Sequence, residues 1–143
     1  MIFRQALTLI LAALFPALIA GVAHPKRPSW NENQLLADEI ALSSAIKLTN
    51  VIWIDARSAE AYQKDHIPGA LLLNEDAWDE LIQPVLLAWN PGRPIVVYCS
   101  SLQCQTSREV AKRLRETTGV EPLFVLKGGW EAWLKAQDLK SQI

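Results

Sequence analysis

The chain has 143 residues, half of them apolar, a length and composition that suit one globular domain with an appendage and exclude a disordered chain. Its 14 basic and 15 acidic residues leave a formal net charge of -1. The basic residues are scattered, so nothing points to a nucleic-acid or anionic-lipid partner held by a basic face.

Met1 to Gln5 carries one cation, Arg4, and Ala6 to Ala23 follows without a charge. Gly21, Val22 and Ala23 are small enough for a signal-peptidase site before His24, yet the run nearly reaches the length of a bilayer span. Residues 1–23 are therefore expected to be either a cleaved signal peptide or an apolar helical membrane anchor. Residues 24–143 would then form a domain exported to the periplasm or tethered to the membrane. His24 to Trp30 reads as a linker limited by Pro25 and Pro28, with Trp30 a candidate end of a short first strand. Asn31 and Gln34 have the spacing of a helix start, which predicts a helix over Gln34 to Lys47.

Four short apolar runs follow: Val51–Ile54, Ala70–Leu73, Ile95–Tyr98 and Leu123–Leu126. None alternates apolar with polar, as expected of strands buried on both faces in a parallel sheet. Helical patterns lie between them. Glu60 to Lys64 is a short turn of helix, and Trp78, Leu81, Ile82, Val85, Leu86 and Trp89 mark one helical face that Pro84 is expected to split or kink. Asn90-Pro91-Gly92 stops it. Val110, Ala111 and Leu114 give the next helix its inner face, and Trp130, Trp133 and Leu134 the last. Trp78, Trp89, Trp130 and Trp133 sit at core spacing, so packing explains them better than a stacking surface. Strands alternating with helices predict a doubly wound α/β fold, a parallel sheet of about five strands with helices on both faces.

The segment Tyr98-Cys99-Ser100-Ser101-Leu102-Gln103-Cys104-Gln105-Thr106-Ser107-Arg108-Glu109 carries the most chemistry. Cys99 follows a buried strand directly. Thr106 and Glu109 have capping-box spacing, which places the next helix start at Ser107. Ligands of open α/β sheets bind beyond the carboxyl ends of the strands, and a helix's first turn offers unpaired N–H groups and partial positive charge. A cysteine held there is favoured as a thiolate nucleophile, and the loop amides can cradle an anion. The alternative is a plain buried cysteine packed as a small apolar residue.

At this point the chain resembles the rhodanese-like family, from about Val51 to Ala136. Ile54-Asp55-Ala56-Arg57 is similar to its strand followed by Asp-x-Arg, and His66-Ile67-Pro68-Gly69-Ala70 to its His-Ile-Pro-Gly-Ala segment. Val96-Val97-Tyr98-Cys99 matches the strand that delivers its active cysteine, and Lys127-Gly128-Gly129-Trp130 with Trp133 its Gly-Gly-Trp close. The resemblance implies a small doubly wound domain with a five-stranded parallel sheet, and a sulfurtransferase that carries sulfur on Cys99 as a persulfide without metal or organic cofactor. Cys99 would take the outer sulfur of a small sulfur-containing anion or persulfide donor. It would pass that sulfur to a thiol, a partner protein or another nucleophile, with the amides from Ser100 through Leu102, Gln103 and Cys104 to Gln105 and Thr106 holding the negative charge.

The loop departs from the common single-domain pattern. It is longer, lacks the glycine and arginine, and holds Cys104 instead. Gln105 stands where related phosphatases and arsenate reductases place an arginine, which disfavours phosphoryl and arsenate chemistry. Arg108 is the nearby cation in sequence that could assist. Cys104 has three readings: it resolves a Cys99 persulfide or sulfenate, it forms a resting disulfide with Cys99, or it is idle. His66 reads as a turn-holding hydrogen bonder before a base, and Asp55 and Arg57 as a pair that fixes the loop after their strand, with an orienting role at the site. Two histidines without a spaced ligand set give no support for a metal site. Beside the sulfurtransferase stand a thiol–disulfide or sulfur-relay protein cycling Cys99 with Cys104, and a non-catalytic binding module. No oligomer interface is legible, and a monomer is expected.

Overall fold

In a computed structural model of the chain, the described residues are Gln5, 35–101 and 105–141. The chain divides into two units, Met1–Gln34 and Leu35–Ile143. Of the first, only Gln5 is described, helical and exposed. The apolar N-terminal segment, the linker, the strand at Trp30 and the loop residues Leu102, Gln103 and Cys104 thus lie outside the described residues. Among those described, no helix is long and apolar enough to cross a membrane.

The second unit alternates strand and helix throughout. Its elements are β1 (Glu39–Ile40), α1 (Leu42–Ala45), β2 (Ile52–Asp55), α2 (Ala59–Lys64), β3 (Leu71–Leu72), α3 (Trp78–Ala88), β4 (Ile95–Tyr98), α4 (Thr106–Thr118), β5 (Leu123–Leu126) and α5 (Gly129–Ser141). The strands form one sheet in the order β1-β5-β4-β2-β3, and every pairing is parallel. All four residues of β4 are buried, as a central strand covered on both faces requires.

Successive β4 side chains divide between two cores, because neighbouring strand residues point to opposite faces. Ile95 and Val97 join Ile52, Ile54, Leu123 and Val125 under Trp78, Ile82 and Val85 of α3 and Val110, Ala111 and Leu114 of α4. Val96 and Tyr98 join Leu126, Ile67, Ala70 and Ala45, with Trp130 and Trp133 of α5 packed against them. Trp53 meets Trp133 edge-on at 6.2 Å.

Three local expectations are corrected and one, that Pro84 splits or kinks its helix, is narrowed. The helix predicted over Gln34 to Lys47 is, in its described part, a turn, strand β1 and the short α1. Parallel pairing with β5 overrides the local pattern: Val125 donates its N–H to Asp38 and Lys127 to Ile40. Pro84 does not split α3, which runs unbroken from Trp78 to Ala88. Pro84 and Glu80, whose carbonyl loses its partner, are both exposed, so water can satisfy that carbonyl. Helix α4 begins at Thr106, one residue early, and its N-cap Gln105 makes no side-chain cap, so the Thr106–Glu109 capping box is not formed. Leu134 is exposed, not on the inner face of α5.

Candidate active site

Strand order makes the crevice. The chain leaves β2 toward β3 and returns past it to β4, so the loops after β2 and β4 diverge at the carboxyl ends of adjacent strands. A cavity of ≈ 430 Å³ lies there. Ala56, Arg57 and Ser58 after β2 with Ala61 of α2 line one side, Cys99 and Ser100 after β4 another, and Asn74, Glu75, Asp76, Thr106 and Glu109 the rest. Cys99 is 2% exposed and joins the α3/α4 core, so it forms part of the cavity floor.

Cys99 is engaged in a disulfide. The chain's one other cysteine is Cys104. Ser107 Oγ lies 3.2 Å from Cys99 Sγ and is itself buried. A disulfide sulfur carries no proton, so the hydroxyl donates to it, and it can donate equally to a thiolate. Among the described residues, the N–H groups of Ser100 and Ser101 enter no hydrogen bond.

The carbonyls of the same residues are held from behind. Trp130 donates its N–H to Cys99 O at 2.7 Å and Glu131 to Ser100 O at 3.1 Å. The orphan N–H groups of the first turn of α5 thereby fix the backbone that presents the cysteine. Gly129 permits this approach. Its φ is +50°, and a Cβ there would lie 3.0 Å from the Cys99 carbonyl carbon and 3.3 Å from that of Ser100. The Gly-Gly turn, legible in the sequence only as a tight connection, is thus also a clamp on the cysteine.

Asp55 and Arg57 form one buried unit, of which Arg57 lines the cavity. Arg57 donates its backbone N–H (2.9 Å) and Nε (3.0 Å) to Asp55 Oδ1 and its Nη2 (2.6 Å) to Oδ2. Nη2 also reaches Asp65 O at 2.7 Å, and the guanidinium lies 4.6 Å from the centre of the Trp130 ring. Burial alone would lower the Arg57 pKa, but the Asp55 carboxylate holds it above its ordinary value. Burial and the nearby Asp55 charge push the Tyr98 phenol well above its ordinary range, although the Ile67 N–H it accepts works the other way. It stays neutral.

His66 stands away from the cavity lining. Its Nδ1 is 2.8 Å from Tyr62 O and its ring stacks on Tyr62 at 4.0 Å, which fits a turn-holder. Arg108 is not in the lining either. Its Nη2 pairs with Glu39 on β1, joining α4 to the sheet edge. Of the loop residues singled out in the sequence, Ser100 and Thr106 line the cavity beside Cys99; Gln105 occupies the N-cap position of α4 without a side-chain cap.

Sequence reasoning passed over Ser107, Asn74 and the carboxylates of Glu75, Asp76 and Glu109. Ser107 was legible only as a helix start. Asn74 is buried and donates Nδ2 to Arg57 O (3.1 Å) while its Oδ1 accepts from Ala77 N (3.2 Å), tying the β2 loop to the entry of α3. An Asn shortly before an apolar helical run is the signal that points to it. Among the described residues, no cluster of His, Cys, Asp and Glu could hold a metal ion.

The family model for the rhodanese-like domain matches residues 39–136. The thiosulfate sulfurtransferase GlpE of Coxiella burnetii is 28% identical over 88 residues, covering 62% of this chain and 76% of its own. Among solved structures, the BH2092 protein of Bacillus halodurans is 27% identical with a TM-score of 0.57, over 69% of this chain and 72% of that one. A thiosulfate sulfurtransferase from Pseudomonas aeruginosa is 25% identical with a TM-score of 0.54, over 73% of this chain and 19% of that one. With the parallel five-stranded sheet and the cysteine at the end of its central strand, these likenesses establish that the chain belongs to the rhodanese-like domain family.

Proposed function

We propose that the protein is a sulfurtransferase that carries sulfane sulfur as a persulfide on Cys99. The observation that carries this reading is Cys99 on the floor of a ≈ 430 Å³ cavity with the Ser107 hydroxyl 3.2 Å from its sulfur. The reduced Cys99 thiolate attacks the outer sulfur of a donor. A new S–S bond forms, the donor's S–S bond breaks, and the leaving thiolate or sulfite takes the bonding pair. An acceptor thiolate then attacks the outer sulfur and returns the electron pair to Cys99. Ser107 donates to the sulfur in each anionic state, and the open N–H groups of Ser100 and Ser101 offer further donors.

The disulfide at Cys99 favours a second reading, a sulfur relay that ends in a disulfide. A second thiolate attacks the inner sulfur of the Cys99 persulfide and hydrosulfide leaves; Cys104 is the thiol the chain itself supplies. A dithiol reductant must then deliver two electrons and two protons before the next turnover.

The test is intact-mass analysis of the dithiol-reduced protein after exposure to a sulfane donor. Transfer requires a gain of one sulfur on the wild type and none on Cys99→Ser. Loss of two hydrogens with sulfide release, abolished in Cys104→Ser, selects the relay. No change in either variant or wild type contradicts both.

A further inference from the structure

The cavity leading to Cys99 has a neutral floor and an acidic rim. Ala56, Asn74 and Cys99 are buried in the floor, while Glu75 and Asp76 after β3 and Glu109 in the first turn of α4 are exposed at the mouth. Among the described residues, Arg57 is the cation in the lining, and Asp55 already closes its guanidinium. Glu75 pairs with Arg113, but Asp76 and Glu109 have no ion pair among the described residues. Residues 102–104 are Leu, Gln and Cys, so the rest of the loop adds no formal charge. A thiolate at the base makes the path more negative still.

A mouth whose net charge among the described residues is negative focuses its field on whatever enters, repelling dianions and drawing cations. On the transfer reading of this site, we infer that the sulfur acceptor is a thiol bearing a cationic group close to its sulfur, and that Asp76 and Glu109 are the specificity-determining residues. Small dianions, thiosulfate among them, are disfavoured donors. In the transfer, the acceptor thiolate forms an S–S bond to the outer sulfur of the Cys99 persulfide, the Cys99 S–S bond breaks, and Cys99 recovers the pair as thiolate. The outer sulfur keeps its proton and no net electrons move.

The test compares wild type with the exposed double variant Asp76→Asn/Glu109→Gln, each reduced with a dithiol and loaded from 2-hydroxyethyl persulfide, whose reacting RSSH form carries no charge. Sulfur release is followed with 2-aminoethanethiol, 2-mercaptoethanol and 3-mercaptopropionate, whose attacking forms are zwitterionic, monoanionic and dianionic. Taking the ratio of variant to wild type for each acceptor cancels their different thiol basicities. The variant should accelerate transfer to the dianion about tenfold at low salt while leaving the zwitterion level or slower. Loading by thiosulfate should rise likewise. Added salt should speed the dianionic arm of the wild type, a readout independent of any variant's folding. A short Lys-flanked cysteine peptide that saturates the wild type well below 2-aminoethanethiol would place the cationic thiol in a protein partner; the reverse order would make it a small aminothiol. Ratios and salt effects indifferent to acceptor charge overturn the proposal alone. Failure of the wild type to load from 2-hydroxyethyl persulfide overturns it together with the transfer reading.

Discussion

Gly129→Ala tests how firmly the backbone clamp behind Cys99 sets its reactivity. A Cβ at Gly129 falls 3.0 Å from the Cys99 carbonyl carbon, against an optimal carbon–carbon contact of about 3.5–4.0 Å, so one segment must retreat by roughly 0.5–1 Å. That retreat strains or breaks the hydrogen bonds from Trp130 and Glu131, each contributing about 0.5–1.5 kcal/mol. Placing alanine at φ +50° adds roughly 1–2 kcal/mol. The expected destabilisation is about 2–5 kcal/mol in urea unfolding of the reduced protein. A misplacement approaching 1 Å at the nucleophile should also slow sulfur loading by up to about a hundredfold. Gly119→Ala is the control. Its φ is +69° and a Cβ there meets nothing within 4 Å, so it bears only the conformational cost, about 1–2 kcal/mol, and loads at the wild-type rate. If Gly129→Ala matched Gly119→Ala in both stability and loading rate, the clamp argument would be wrong.

Three further outcomes follow from named contacts. Ser107→Ala removes the hydroxyl 3.2 Å from Cys99 Sγ; a charge-assisted hydrogen bond contributes about 1.5–3 kcal/mol, so alkylation of the reduced protein by iodoacetamide at neutral pH should slow by about tenfold or more, and an unchanged rate would remove Ser107 from the site. Asp55→Asn leaves the Arg57 guanidinium buried without its counter-charge and should cost about 3–5 kcal/mol of unfolding free energy, whereas a loss below about 1 kcal/mol would show the pair to be dispensable. Burial raises the Glu39 pKa, but the Leu36 N–H, Arg108 and Lys127 outweigh it and hold the carboxyl below its ordinary 4.5. Its contribution is therefore fully present above pH 4.5 and fades as pH falls through the lower folded value, and Glu39→Gln should flatten that acid limb of the stability profile.

What the sequence made legible follows the range of the forces involved. Continuous apolar runs located β2, β4 and β5 within a residue, because a strand covered on both faces needs little beyond its own composition. Strand β1 escaped. Its two residues include Glu39, and its position depends on pairing with β5 and on an ion pair to Arg108, 69 residues away. The same long-range pair explains why Arg108, adjacent in sequence to the reactive loop, does not face the cavity. Asp55 and Arg57 were legible as a pair since both sit in one turn. The acidic rim was not, because Glu75, Asp76 and Glu109 come from separate segments that only the strand order brings together. Ser107 was hidden by a capping-box reading that accounted for Thr106 and Glu109 without assigning its hydroxyl a partner.

The most direct measurement is a single-turnover chase with a persulfide donor labelled in its outer sulfur. The dithiol-reduced wild type should take up one labelled sulfur, peptide mapping should find it on the Cys99 peptide, and an added thiol should carry it away at the rate at which the loaded form disappears. Label that reaches the acceptor without residing on Cys99, or that transfers undiminished in Cys99→Ser, would contradict the assignment of Cys99 as the sulfur carrier.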